Sequence, residues 1–402
     1  MRKTIAVLAA GLALCLTACS AANEFSGGER LSDSAKRTSD VSVTYNYPDG
    51  AEEPPKAYNS YAASVANFAF KLTRAAYDGG DFAIAPMNSV LQLSLLANGA
   101  KDDAREEIFL TLGNELDVAS LNTCSSYFKS RVNAIGKADD DLTAKLSGAL
   151  LLNDKTDVRK AFLQTNADYF ADDIYRFDFT GEHAQEKIDG AFGKDRLTLD
   201  KNASMLSYSA FSVSDNWLEE PEALGTLNGK SAYLGQYMPV RSEKAQGVVR
   251  YTANTPLKAL YILPNEETGL HDYLKTLDSA EYFKLIEGLD VTKQVKAAIP
   301  CFETAAAGKL KEPLTKTGLY TLFTDKADFG NMAHTKGLQL SDMTDGTAAL
   351  YVNALGVYPE QPEADKTAKP LEGADIVFDK PFLFILADNE THLPLYIAAV
   401  NV

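Results

Sequence analysis

The chain has 402 residues, 46% hydrophobic and 23% charged, enough for one large globular domain. Lysines and arginines total 39 against 55 acidic residues, a net charge of −16. That balance disfavours nucleic-acid binding, which needs clustered cations, and reads as a solubilising surface.

The first residues have the order of a targeting segment: Arg2 and Lys3, an apolar stretch over residues 5–16, then small residues. No later run is long enough to span a membrane. Leu16-Thr17-Ala18-Cys19 resembles the bacterial lipobox, in which the cysteine takes a diacylglycerol and becomes the new N-terminus. A plain secretory signal with an incidental cysteine is the alternative. The expectation is a signal peptide over 1–18, lipidation at Cys19, and an extracytoplasmic, membrane-anchored protein at the cell surface. Residues 19–56 are rich in Ser, Gly, Asp, Glu and Pro without apolar periodicity. They read as a flexible tether, reaching roughly 35 Å as a coil, and the folded domain is expected over 57–402.

Order begins near Tyr58, where Val65, Phe68, Ala69, Leu72 and Ala76 recur at helical spacing until Gly79-Gly80. A short strand over 82–86 follows, then helices over 88–98 and 102–112 and a partly polar helical region to 138. Small and apolar residues over 146–153 read as a buried strand. Next come a helix over 157–170, a strand through Ile174, Phe177 and Phe179, and a strand over 206–217 ending at the only tryptophan, Trp217. From about residue 247 the pattern is mostly strand (257–263, 297–302), with helices over 271–285 and 310–318. Strands over 382–386 and 395–400 close the chain. Helices weight the first half and strands the second, so the fold class expected is α+β.

Few motifs carry chemistry. The Gly225–Gly229 stretch before Lys230 and Ser231 has three residues between its glycines where a phosphate-binding loop needs four, and reads as a surface turn. His183, His271, His334 and His392 are scattered, with no helical pair and no cysteine cluster. A metal site is therefore not expected. There is no Gly-x-Ser-x-Gly elbow. No enzyme site and no cofactor emerge. Cys124 and Cys301 could pair, but two buried free thiols suit the composition better.

Several motifs in one order resemble the serpin family over nearly all of residues 57–402. Residues 82–101 resemble the Phe-x-x-Ser-Pro-x-Ser segment that leads into a helix and Gly-Ala-Lys. Residues 150–179 resemble the strand-helix-strand after it. Trp217 falls where serpins place the tryptophan at the top of the main sheet. Residues 260–266, Leu322 to Phe329, and Phe378-Asp379-Lys380-Pro381-Phe382-Leu383-Phe384 resemble three further family motifs. The resemblance implies a fold of three β-sheets, eight or nine helices and an exposed reactive-centre loop. It also implies a monomer that inhibits an extracellular serine (or cysteine) protease: cleavage of the loop lets it insert as a new strand and drag the acylated protease across. The family's two serines are Ala85 and Asn88 here, and Asp345 and Gly346 stand where it has a histidine. The polar lock under the sheet is therefore rebuilt or missing.

By the same resemblance the loop hinge is Gly356, Val357, Tyr358 and Pro359, and the scissile region is Lys366, Thr367, Lys369, Pro370 and Leu371. Lys369 would suit a trypsin-like enzyme, although Pro370 would slow cleavage after it; Lys366-Thr367 is the other candidate bond. Inhibitory serpins follow the hinge with small residues. Here Pro359 and Pro362 supply no ladder N–H, and either strand register buries charge. A non-inhibitory role, as surface binding module or protease substrate, stands beside the inhibitor reading.

Overall fold

The computed structural model describes residues 25, 27–38, 54–113, 116–133, 143–304, 308–359 and 371–402. In chain order it opens with β1 (Glu29–Arg30), α1 (Tyr58–Ala76), β2 (Phe82–Ile84), α2 (Pro86–Gly99), α3 (Asp102–Leu112), α4 (Val118–Asn133) and β3 (Thr143–Asn153). Next come α5 (Lys160–Thr165), which runs into a π-helical turn, β4 (Asp173–Phe177), α6 (Ala184–Phe192), β5 (Met205–Asn216), β6 (Ala223–Leu227), β7 (Lys230–Arg241), β8 (Ala245–Tyr251) and β9 (Leu257–Pro264). The last third holds α7 (Gly269–Thr276), α8 (Ser279–Glu287), β10 (Val295–Pro300), β11 (Phe302–Glu303), α9 (Lys311–Thr317), β12 (Leu340–Asp345), β13 (Tyr351–Val352), β14 (Gly356–Tyr358), β15 (Ile376–Val377), β16 (Phe382–Asp388) and β17 (Pro394–Val400).

The strands build an α+β fold. One sheet runs β1-β4-β3-β5-β14-β13-β11, with β12 also against β5. The other strands form two sheets that share β7: its first part pairs with β6 and β10, and its last residues, Met238 to Arg241, pair with β8. β15 extends one of these sheets, and β9, β16, β17 and β2 complete the other.

The first sheet is covered on both faces, and its strands show why the sequence reads there as nearly continuous apolar residues. On β3, Leu150 and Leu152 enter the main core while Ala149 and Leu151 enter a smaller one beneath α6. On β5, Met205, Phe211 and Val213 face the main core, and Leu206, Tyr208 and Ala210 the smaller. That is the period of two expected of a strand. Helix α2 lies under the sheet and is buried almost throughout.

Of three local outcomes, two differ from expectation. The helix expected over 271–285 is two, α7 and α8, interrupted at Leu277 and Asp278; the Asp278 side chain caps the second by accepting from Glu281 N at 2.9 Å. The surface turn expected within 225–231 is present: Asn228 and Gly229, exposed and both at positive φ (50° and 79°), join β6 to β7 as a hairpin. Part of the expected tether is built into the fold. β1 pairs antiparallel with β4, and Phe25 packs against Tyr175, Phe177 and Phe192 at ring separations of 5.1, 5.0 and 5.8 Å.

Candidate functional site

Strand β5 has two neighbours on the same side. Its lower half, Met205 to Ser209, pairs in parallel with β12. Above that the two paths part. The chain beyond β12 runs through residues 346–350 into β13, which lies against β11. The wedge between β5 and β13 is filled by β14, the first three residues of the expected loop hinge. β14 is antiparallel to both, with Gly356 opposite Asn216, Val357 opposite Asp215 and opposite Val352, and Tyr358 opposite Tyr351.

Each hinge residue suits its place. A Cβ on Gly356 would stand 2.1 Å from the Asp215 carbonyl oxygen, so only glycine lets the two backbones approach. Val357 is fully buried in the main core. Tyr358 is half-buried and donates through its hydroxyl to Asn216 Oδ1; burial, and to a lesser degree Asp215, pushes that phenol up to about 12. The turn between β13 and β14 is closed by Asn353, whose Oδ1 accepts from Leu355 N (2.7 Å) and Gly356 N (3.1 Å). Trp217, directly after β5, donates from Nε1 to Asn353 O and from its backbone N–H to Leu355 O, both at 2.8 Å. Pro359, the last described residue before 371, is half-buried just past the end of β14.

Below the wedge a polar latch holds the sheet to α2. The buried Asp345 carboxylate accepts from Ala85 N (2.8 Å), Asn88 Nδ2 (3.3 Å) and Thr347 N (3.0 Å). Thr347 Oγ1 accepts from Asn88 Nδ2 at 3.0 Å and from Phe211 N at 2.9 Å, and so stands in for a strand partner where the paths part. Burial raises the Asp345 pKa, and the bonds from Thr347, Ala85 and Asn88 oppose that rise. One helical turn on, Gln92 accepts from Ser207 Oγ (2.7 Å) and donates to Asp172 Oδ2 (2.6 Å), and Asp172 is paired with Lys129. The polar lock is therefore rebuilt around a carboxylate. Sequence reasoning reached Ala85, Asn88 and Asp345 but not Gln92 or Asp172. The available signal for Gln92 was its place four residues after Asn88, on the same face of a helix that is buried almost throughout.

The β14–β5 register says what further insertion would require. Continued downward, it sets Pro359 opposite Val213 and Gln361 opposite Phe211, where Thr347 now bonds. Beyond that, β12 must part from β5 and Asp345 must leave its partners. Val357 faces the core, so the residues that follow it inward are Pro359, Gln361, Glu363 and Asp365. Of the candidate scissile residues, Lys366, Thr367, Lys369 and Pro370 lie outside the described residues. Leu371 begins the returning arm, where its N–H donates to Thr226 O at 3.2 Å on β6. The arm then joins β10 through β15. Cys19 also lies outside the described residues. Cys124 and Cys301 are free, the first buried and the second half-buried. No metal-holding cluster of His, Cys, Asp and Glu occurs among the described residues.

The chain that leaves one sheet at β14 and returns onto another at Leu371 sits in a fold with known counterparts. The family profile "Serpin (serine protease inhibitor)" matches residues 63–195 and 236–402. Iripin-8 of Ixodes ricinus is 21% identical over 354 residues, covering 79% of this chain and 87% of its own. Alpha-1-antitrypsin of Meriones unguiculatus is 21% identical over 389 residues, covering 87% and 93%. Among solved structures, the thermophilic serpin tengpin in its native state superposes with a TM-score of 0.75 at 22% identity, covering 94% of this chain and all of that one. The chain belongs to the serpin family. Its members are typically protease inhibitors rather than catalysts.

Proposed function

We propose that this protein is a serpin-type inhibitor of an extracytoplasmic serine (or cysteine) endopeptidase, acting as a monomer anchored through a lipidated Cys19. The protease nucleophile attacks a loop peptide carbonyl, at Lys369-Pro370 or Lys366-Thr367, and the acyl-enzyme forms as the bond breaks. The freed hinge arm then extends β14 down between β5 and β12. The observation that carries this reading is β14 itself: the sheet already accepts the hinge as a strand, so insertion begins from an occupied wedge. Stability of the uncleaved form would be kinetic, held by the β5–β12 pairing and the Asp345 latch.

One observation favours the second reading, a non-inhibitory serpin that is a protease substrate or a surface binding module. β14 stops at Pro359, and the register it sets carries Glu363 and Asp365 toward the core. Incubation with a panel of serine and cysteine proteases separates the two. The inhibitor reading expects a covalent, denaturant-resistant complex and a sharp rise in melting temperature once the loop is cut. Nicking without a complex, at an unchanged melting temperature, supports the second.

A further inference from the structure

The hinge turn is held by a side chain that the loop reading does not use. Arg250, on β8, is fully buried, with its guanidinium carbon 4.6 Å from the ring centroid of Trp217, 4.9 Å from Tyr233 and 5.0 Å from Tyr237. Rings on several sides suit a cation that keeps its charge while shut away from water. From this cage Nη2 donates to Glu219 O at 2.9 Å and to Ala354 O at 3.4 Å. Ala354 is the middle residue of the turn between β13 and β14, and its N–H meets the Cys301 sulfur. Together with the two Trp217 donors, Arg250 gives all three carbonyls of residues 353–355 a donor from outside the turn. Ala354 is buried, so its carbonyl needs such a partner, and the turn cannot advance or withdraw without losing it.

We propose that Arg250 is a positioning residue. Caged by Trp217, Tyr233 and Tyr237, it fixes the hinge turn through Ala354 O and holds the loop at three inserted residues. It sets how far the loop enters the sheet before any protease arrives. The inference rests on reading the segment after residue 356 as the reactive loop, but the state of the hinge is measured without a protease. A failure here is therefore distinct from a failure of the inhibitor reading.

The test is amide hydrogen exchange of the full chain carrying Arg250→Met, Arg250→Lys or Val357→Glu, read at residues 356–358 and in β16, beside the emission of the single tryptophan. Val357→Glu places charge on the buried hinge face and gives the reference for a released hinge. Arg250→Met should raise exchange at 356–358 at least tenfold and shift Trp217 emission to the red, with β16 unchanged. Arg250→Lys, which keeps a cation in the cage, should fall between. The proposal is overturned if Arg250→Met leaves 356–358 at the wild-type rate while Val357→Glu speeds them. It is equally overturned if exchange rises uniformly through β16, since Arg250 would then be a general core residue. Should Arg250→Met not fold, Arg250→Lys carries the same contrast.

Discussion

Two buried aspartates close two different junctions of the molecule. Asp388 sits in the turn from β16 to β17, where it pairs with Arg131 of α4 and accepts from Glu390 N (2.9 Å) and from Thr391 N (2.7 Å) and Oγ1 (3.0 Å). Asp345, beneath the sheet that receives the hinge, accepts only from neutral donors on Ala85, Asn88 and Thr347. Breaking the first junction strands a charge in the core, which is expensive. Breaking the second leaves Asp345 to find new partners, and protonation, which burial already favours there, lowers that cost. The first junction is held by an ion pair; the second, which the proposed insertion would open, has none among the described residues.

Removing the cation should separate the two most clearly. Arg131→Met leaves Asp388 buried without its counter-charge and should cost about 3–5 kcal/mol in chemical denaturation. Adding Asp388→Asn should recover part of that loss. At the other junction Asp345→Ala leaves the Ala85 and Thr347 N–H groups unpaired, for about 1–3 kcal/mol, while Asp345→Asn should stay within about 1 kcal/mol of wild type in the same measurement. Equal losses from Arg131→Met and Asp345→Asn would erase the distinction.

The two regions should also respond oppositely to pH. Beside Asp388, Lys258 Nζ donates to His392 Nδ1 at 2.6 Å. Burial, then the Lys258 charge, pushes His392 down to about 4, and burial pushes Lys258 down to about 8. In both, the unfolded chain holds its proton to higher pH. Their contributions therefore make stability rise with pH, from about 4 to 6.5 for His392 and from about 8 to 10.5 for Lys258. Asp345, raised by burial, has the opposite sign: its contribution falls as pH climbs from the ordinary carboxylate value through the folded one. Denaturation across pH should show His392→Gln flattening the rise between 4 and 6.5, and Asp345→Asn removing the opposing fall. The smallest effect expected is from Tyr358→Phe, which loses only the half-buried bond to Asn216. It should cost about 0.5–1 kcal/mol, seen as faster hinge exchange rather than a shift of the main transition.

The parts legible in the sequence are those whose cause is local or repeats along the chain. The apolar runs of β3 and β5 and the helical period of α1 declare themselves. The turn at Asn228-Gly229 was equally local and legible; only the strands it joins, β6 and β7, went unread. Other features have no local cause. β1 is two charged residues, Glu29 and Arg30, placed by pairing with Arg176 and Asp173 of a strand far along the chain. Whether the hinge would stand free or enter the sheet depended on where β5 and β12 part, which is a matter of tertiary register.

The attachment of β1 changes the geometry of anchoring. Phe25 is docked in the smaller core, and Thr38 N and Oγ1 donate to Asp168 Oδ1 at 2.9 and 3.0 Å. The 39–53 stretch thus lies between two points held on the domain and would add nothing to the reach of an anchor at Cys19. From Cys19 to Phe25 there are only six residue steps, a span of at most ~20 Å. With the anchor proposed at Cys19, the edge formed by β1 and β4 would stay within that distance of the membrane surface. A protease reaching the loop would then meet a target held close to the membrane.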